Sequence, residues 1–137
     1  ALYGLSAGVA HSAQFGLAAL LKAVNDGTYN YREDVIEYAD KAAIMKNLFV
    51  TNNFKIVYDR DLDEPLADGF DFTISDPGMS GRELLPELLS YGISAISLDI
   101  TGSERKEGLR ACVSLVPRTL FGDLENRLKK FKEDHPI

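Results

Sequence analysis

The 137-residue sequence has no tryptophan, a single cysteine and only two histidines. One cysteine, Cys112, excludes an internal disulfide and a cysteine-only zinc site, and it fits a reducing compartment such as the cytosol. His11 and His135 lie far apart, and neither has a cysteine or a second histidine at ligand spacing, so the sequence predicts no metal site. We expect His11 to be a packed or interfacial histidine and Cys112 to be a buried, unreactive thiol.

Basic residues are also scarce, since 15 Lys and Arg against 21 Asp and Glu give a formal net charge of -6. This balance argues against nucleic-acid binding, which depends on basic patches that meet phosphate. The excess acid lies between Asp59 and Asp76, and the rest of the chain is neutral. The alternating acids after Asp59 look like the start of a calcium loop, but Glu64 stands where that loop requires glycine and Phe70 where it requires glutamate. We therefore expect a solvated acidic hairpin loop between the strands predicted over Phe54–Tyr58 and Phe70–Ser75.

Charged side chains are absent from residues 1–21, a stretch long enough to cross a membrane. Its frequent glycine, serine and glutamine argue against a membrane span, and it lacks the basic start of a signal peptide. Because the chain does not begin with Met, we expect it to come from the interior of a longer protein. Two interpretations of the segment stay open: it lies against something outside this chain, or it is an alanine-rich helix that packs on its own domain.

Capping signals and apolar spacing predict four helices, and alternating apolar residues predict four strands. Asn30 and Ser80 each precede a helix by one residue, with Glu33 and Glu83 completing capping boxes. Pro86 predicts that its helix either kinks or starts later than the box indicates. The predicted helices span Ala10–Val24, Tyr31–Phe49, Ser80–Gly92 and Thr119–Asp134, and the predicted strands span Phe54–Tyr58, Phe70–Ser75, Ile93–Ile100 and Leu109–Val116.

Two apolar stripes are expected to face the core. The first helical stripe comprises Tyr31, Val35, Tyr38, Ala39, Ala42, Met45 and Phe49, and the second comprises Leu120, Leu124, Leu128 and Phe131. The order of elements does not alternate strand with helix, as a doubly wound parallel sheet would. It predicts an α+β fold in which a small, mostly antiparallel sheet is covered by helices.

Arg110 is the candidate binding residue. In the predicted strand, Leu109, Ala111, Val113 and Leu115 share one face and Arg110 begins the other. A guanidinium on a rigid strand presents a planar fork that matches a carboxylate with two parallel hydrogen bonds. From the residues alone a structural salt bridge is the more common outcome, with carboxylate recognition as the alternative. The loop Thr101–Gly108 is an ordinary strand connection or, less commonly, an anion cradle of backbone donors.

Several loose motifs, in this order along nearly the whole chain, resemble one family. They are Ser6–Gln14 before the alanine-rich helix, the helix over Tyr31–Leu48, Phe70-Asp71-Phe72 followed by Pro77-Gly78-Met79, the leucine-rich helix ending at Gly92-Ile93, Gly102-Ser103 and Leu109-Arg110. Together they resemble the C-terminal small domain of the class I/II, fold-type I aminotransferases, which depend on pyridoxal phosphate. Two features depart from the family pattern: Asp71 stands where an aromatic is common, and residues 104–107 replace the usual Pro and Phe-Gly of that loop.

The resemblance implies that residues 1–137 form a single small domain of a longer aminotransferase. Such an enzyme moves an amino group between an amino acid and a 2-oxo acid, and Arg110 corresponds to the residue that binds the substrate carboxylate. The lysine and phosphate-binding residues that hold pyridoxal phosphate belong to the large domain, so this chain alone is expected to be inactive. The parent is expected to be a cytoplasmic homodimer.

A second interpretation does not use the resemblance. The chain is then a self-contained, non-catalytic α+β module that binds a small acid or a protein partner. The uncharged N-terminal segment would be its interface.

Overall fold

The structure, a computed structural model, describes residues 9–65, 69–103 and 108–136. Over these ranges the elements are α1 His11–Asn25, α2 Tyr31–Thr51, β1 Lys55–Val57, β2 Arg60–Asp61, β3 Glu64–Pro65, β4 Asp71–Ser75, α3 Gly81–Ser90, β5 Ile96–Ser97, β6 Gly108–Cys112, a 3-10 helix Arg118–Leu120 and α4 Phe121–Asp134. The chain divides into two compact units, Ala1–Ile36 and Glu37–Ile137. That the whole chain acts as one small domain of a longer protein stays a prediction.

The first unit contains α1 and the start of α2. Helix α1 lies within one residue of its predicted bounds and ends in a turn at Gly27, where φ is +71°. At the start of α2 the Asn30 side chain accepts a hydrogen bond from the Arg32 amide at 3.2 Å and donates one to Glu33 at 2.9 Å, which confirms the predicted cap. None of the residues of α1 is buried, and its exposed apolar side chains are Phe15, Leu17, Leu20 and Leu21.

The second unit is built on a four-stranded sheet in the order β1-β4-β6-β5, and every pairing is antiparallel. Strands β2 and β3 form a separate exposed hairpin within the acidic stretch. Because side chains alternate along a strand, each strand presents one set to each face. Ile74 lies opposite Ile56 on one side and Leu109 on the other, so these three side chains share a face.

That face of the sheet meets the helices in one core. Phe72, Ile74, Leu109 and Ala111 contribute from β4 and β6. Their partners on the helices are Ala42, Met45, Phe49, Leu84, Leu88, Leu128 and Phe131. Burying a large apolar side chain contributes about 1.5–3 kcal/mol, so this cluster is the main source of stability. The predicted α+β fold, with an antiparallel sheet covered by helices, is confirmed.

Both predicted helical stripes are only partly buried. On α2, Tyr31 and Val35 are exposed, because burial on this helix begins at Lys41. In the second stripe Leu128 and Phe131 are buried as expected, but Leu120 is exposed, because it belongs to the 3-10 helix and not to α4.

Two predicted strands are shorter than expected. The strand predicted over Ile93–Ile100 is reduced to Ile96–Ser97, followed by one more bond to β6 from the Leu98 amide to the Gly108 carbonyl at 3.0 Å. The chain then turns, and the amides of Thr101 and Ser103 both donate to the Leu98 carbonyl. The strand predicted over Leu109–Val116 ends at Cys112, and the Val116 amide donates to the Val113 carbonyl in a turn. Leu115 therefore leaves the apolar face and is 86% exposed.

Helix α3 begins directly after Ser80, where the capping box predicts. The Ser80 amide donates to the Glu83 carboxylate at 2.9 Å and the Ser80 hydroxyl donates to it at 2.7 Å. These bonds hold the pKa of Glu83 below its ordinary value, the hydroxyl bond contributing most. Pro86 lies inside the helix, so the expected later start is wrong. The Arg82 carbonyl, which the amide of residue 86 would normally reach, loses that donor.

The predicted solvated acidic hairpin loop is confirmed over its described residues, since β2 and β3 pair as an exposed hairpin. At the other end of the acidic stretch, beyond β4, Asp76 is buried. Its side chain is 4% exposed and forms an ion pair with Lys132 of α4, whose side chain is 11% exposed. The ammonium group also lies 4.4 Å from the centre of the Phe54 ring. The other Asp76 oxygen accepts the Gly78 amide at 2.8 Å. This buried pair attaches the end of α4 to the turn that follows β4.

We expect Lys132→Met to lower the free energy of unfolding by about 3–5 kcal/mol, because it leaves the Asp76 charge buried and unpaired. Adding Asp76→Asn should restore at least half of the loss, since the amide keeps an acceptor for Gly78 and removes the charge. Urea denaturation of the chain measures both values. Lys130→Met, at an exposed lysine of the same helix, is the control and should cost less than about 1 kcal/mol. Equal losses at the two lysines would contradict the buried-pair assignment.

Candidate functional site

Arg110 lies in the middle of β6, the strand that pairs with β4 on one side and β5 on the other. Its directly opposed partners are Thr73 and Ile96, and the side chains of opposed residues share a face. Leu109 and Ala111, its neighbours along the strand, are buried in the core. Arg110 therefore projects from the face opposite the core, as the alternation predicts, and its side chain is 41% exposed.

Asp71 is the acidic neighbour of Arg110. It lies opposite Cys112 on the same face, which places it diagonally across from Arg110. The carboxylate Oδ2 is 3.9 Å from the guanidinium Nε, and the Asp71 side chain is 37% exposed. This distance is beyond a hydrogen bond, and exposed pairs of this kind contribute about 0–1 kcal/mol. Sequence reasoning noted Asp71 only as a departure from the motifs of the family that the chain resembles. It missed the contact with Arg110, because the sequence does not reveal that β4 pairs with β6.

The backbone around Asp71 is held from both sides. The Phe70 carbonyl accepts the Val113 amide at 2.7 Å, which extends the pairing of the two strands. The Phe70 ring packs edge-on against Tyr38 of α2, with 4.9 Å between ring centres. On the other side, the Thr73 hydroxyl donates to the Val57 carbonyl of β1. The positions of the Asp71 and Arg110 backbones are therefore fixed by the sheet and do not depend on their ion pair.

The same face is closed at the start of β6 by apolar packing over Gly108. A Cβ atom at Gly108 would lie 2.6 Å from Leu98 Cδ1 and 3.3 Å from Val57 Cγ2, so a side chain there would collide with them. Leu98 and Val57 are both buried. The face is thus filled at Gly108 and open two residues further on, at Arg110.

The end of β5 is stabilised by polar contacts. Asp99 accepts hydrogen bonds from the Ser97 hydroxyl and from the guanidinium of Arg82 on α3. The bond from Ser97, followed by that from Arg82, holds the pKa of Asp99 below its ordinary value. These contacts attach the short edge strand beside Arg110 to helix α3.

Cys112 differs from its predicted state. It is half-buried and not fully buried, and its Sγ lies 3.2 Å from the Ser114 hydroxyl. Lys41 is buried nearby on α2 and donates to the Ser114 carbonyl at 3.4 Å, which ties α2 to the residues after β6. That the thiol is unreactive stays a prediction.

The two histidines are not brought together as a site. His11 is exposed at the first position of α1, so the packed alternative is wrong, while an interfacial role is untested. His135 stacks on Phe131 at 4.5 Å between ring centres, and its Nδ1 lies 2.9 Å from the Phe131 carbonyl oxygen. In the part of the chain that the structure describes, no group of three or more His, Cys, Asp or Glu is arranged to hold a metal ion.

Two further predictions concern loops and membranes. The loop Thr101–Gly108 lies partly outside the described residues, which end at Ser103 and resume at Gly108, so neither interpretation of it is tested. Of the helices in the described ranges, none combines the length and the apolar character that a membrane crossing requires.

A cavity of about 250 Å³ lies on the core side of the second unit. Its walls include Met45, Phe49, Ile93, Leu124 and Arg127. The Arg127 guanidinium is occupied, since it donates to Asp123 at 2.8 Å and to the Gly92 carbonyl at 2.9 Å. Gly92 has a φ of +75°, and a Cβ there would lie 1.9 Å from Arg127 Nη1. Arg127 therefore secures the turn after α3, and Arg110 is the better candidate for binding a ligand.

Comparison with known proteins adds no assignment. Neither the models of known protein families nor the curated proteins include a match to this chain. The case for a function therefore depends on the residues and their geometry.

We expect Arg110→Ala to change the free energy of unfolding by less than about 1 kcal/mol, because its ion pair is exposed and long. Leu109→Ala, the adjacent residue on the core face, should cost about 2–5 kcal/mol because it opens a cavity. Chemical denaturation of the two variants makes the comparison. A large loss for Arg110→Ala would mean that the arginine is a structural residue and not a binding residue.

Proposed function

We propose that this chain is the C-terminal small domain of a fold-type I, pyridoxal phosphate-dependent aminotransferase, and that Arg110 binds the carboxylate of the amino acid or 2-oxo acid substrate. The single observation that carries the proposal is the placement of Arg110. It projects from the open face of the central part of the sheet, with its guanidinium partly exposed and only loosely paired with Asp71. The α+β fold with a small antiparallel sheet agrees with the family's small domain.

The role of Arg110 follows from the chemistry of its side chain. A guanidinium holds a carboxylate through two parallel N–H···O bonds, which fix the direction of the ligand as well as its position. Strand β6 is hydrogen-bonded on both edges, so the base of the side chain is rigid. Such an anchor orients the bond that is to react at the neighbouring carbon of the substrate, and orientation supplies a large part of the rate enhancement. In the parent enzyme this domain would close over the substrate and exclude water.

The cofactor is expected to be bound mainly outside this chain. Two buried lysines are already engaged: Lys41 with the Ser114 carbonyl and Lys132 with Asp76. That the cofactor lysine belongs to the large domain is proposed on the resemblance alone. Bound pyridoxal phosphate supplies an electron sink for charge that develops on the substrate. The residues of this chain would bind and orient the carboxylate end, and the chain alone would be inactive. The parent is proposed to be a cytoplasmic homodimer, on the resemblance alone.

One observation favours a second candidate function, a non-catalytic module that binds a small acid or a protein partner. Helix α1 buries none of its residues and exposes Phe15, Leu17 and Leu20. Several exposed apolar side chains on one helix are typical of a protein interface. The same helix also suits a domain that packs against another part of its own enzyme, so α1 alone does not decide between the two functions.

The test is Arg110→Lys in the full-length protein that carries this chain. We expect transamination to fall on the order of 100-fold, because lysine keeps the charge and loses the two-bond geometry. The absorbance of the bound cofactor should be unchanged, since Arg110 is proposed to touch the substrate only. Arg60→Lys, at an arginine exposed on the β2–β3 hairpin, is the matched control and should retain activity.

Two outcomes would contradict the proposal in different ways. Unchanged activity in Arg110→Lys would show that Arg110 does not bind the substrate carboxylate through two parallel hydrogen bonds. A wild-type protein that binds no cofactor and transfers no amino group between any amino acid and 2-oxo acid would exclude the aminotransferase and leave the binding module.

A further inference from the structure

Asp71 places a negative charge at the edge of the Arg110 site. The carboxylate and the guanidinium lie on one face of the sheet, 3.9 Å apart at their nearest atoms, and neither is buried. The other residues opposed to this pair are uncharged, namely Thr73, Ile96 and Cys112. Asp71 is therefore the charge that a ligand on Arg110 meets next along β4.

The long separation leaves the arginine able to bind. At 3.9 Å, Nε does not form a hydrogen bond with Asp71, so the donors of the guanidinium are not consumed by the pair. A ligand carboxylate can therefore accept two parallel hydrogen bonds from the Arg110 guanidinium without displacing Asp71. A second charged group on the same ligand, a few bonds away, then falls within the range at which the Asp71 charge acts on it.

We propose that Asp71 selects the ligands of Arg110 by charge. The site takes acids with one carboxylate and a neutral or cationic remainder, and it disfavours dicarboxylates, whose second carboxylate is repelled by Asp71. This inference rests on the proposed function, since it requires that Arg110 bind a carboxylate at all. Asp71 is then a residue that determines specificity. An acid in place of the aromatic that is common in the resembled family would exclude dicarboxylates from the site.

The test uses two unreactive acids of nearly equal shape, glutarate with two carboxylates and its monoamide glutaramate with one. Their binding to the full-length protein is measured by calorimetry at low salt. Two unit charges about 6–7 Å apart change an affinity by about threefold in bulk water and by several tens of fold near a protein surface, and for two partly exposed groups we take a change on the order of tenfold. We therefore expect the wild type to bind glutaramate about tenfold more tightly than glutarate. Asp71→Asn, which keeps the shape and removes the charge, should bring the two affinities within about twofold of each other.

Three comparisons make the result specific. Asp71→Glu keeps the negative charge and should keep the preference for glutaramate over glutarate. Glu133→Gln makes the same charge change at an exposed position of α4 and should leave the preference unchanged. In the wild type alone, raising the salt to about 0.5 M should weaken the preference, because exposed charges are screened. This last measurement tests the proposal even if the Asp71 variants fold poorly.

The possible failures are distinguishable. If both acids bind, Arg110→Lys weakens both, and Asp71→Asn leaves their ratio unchanged, charge selection by Asp71 is wrong while the carboxylate role of Arg110 stands. If neither acid binds, or Arg110→Lys has no effect on binding, the carboxylate site itself is wrong and the inference falls with it.

Discussion

The antiparallel register between β4 and β6 is the constraint on which the rest of the structure depends. It aligns Phe72 with Ala111 and Ile74 with Leu109, so that the core face is apolar across both strands. The same register places Arg110 opposite Thr73 and Asp71 opposite Cys112 on the other face. A shift of one residue would turn the arginine into the core and the apolar residues outward, at a prohibitive cost. The same register therefore determines both the packing of the core face and the positions of Arg110 and Asp71 on the other face.

Two of the aspartate–base pairs in the second unit differ in burial and in what they contribute to folding. Asp76 and Lys132 are buried together, and their pairing holds α4 against the turn after β4. Asp71 and Arg110 are exposed, too far apart for a hydrogen bond, and contribute little to folding. An exposed pair that stability does not require can be adjusted for ligand recognition without loss of the fold, which is why the open face is the place to look for function.

Local signals predict much of this fold, and non-local contacts explain the remainder. Capping residues such as Asn30 and Ser80 locate helix starts, and alternation places Arg110 on the correct face. The shortened β5 could not be predicted, because its end depends on the turn after Leu98, which follows the last bond of that strand to Gly108 of β6. The burial of Asp76 likewise depends on Lys132, 56 residues later. In the candidate site, the sequence predicts that Arg110 is a binding residue. It does not predict that Asp71 lies beside Arg110, because that proximity results from the pairing of β4 with β6.

The central claim is that Arg110 is the carboxylate anchor of a substrate site completed by a larger domain. A crystal structure of the full-length protein with a bound amino acid or unreactive acid tests it most directly. The account predicts two parallel hydrogen bonds, about 2.7–2.9 Å long, from the Arg110 guanidinium to the ligand carboxylate. A carboxylate held by other residues, with Arg110 facing only Asp71 and solvent, would contradict it.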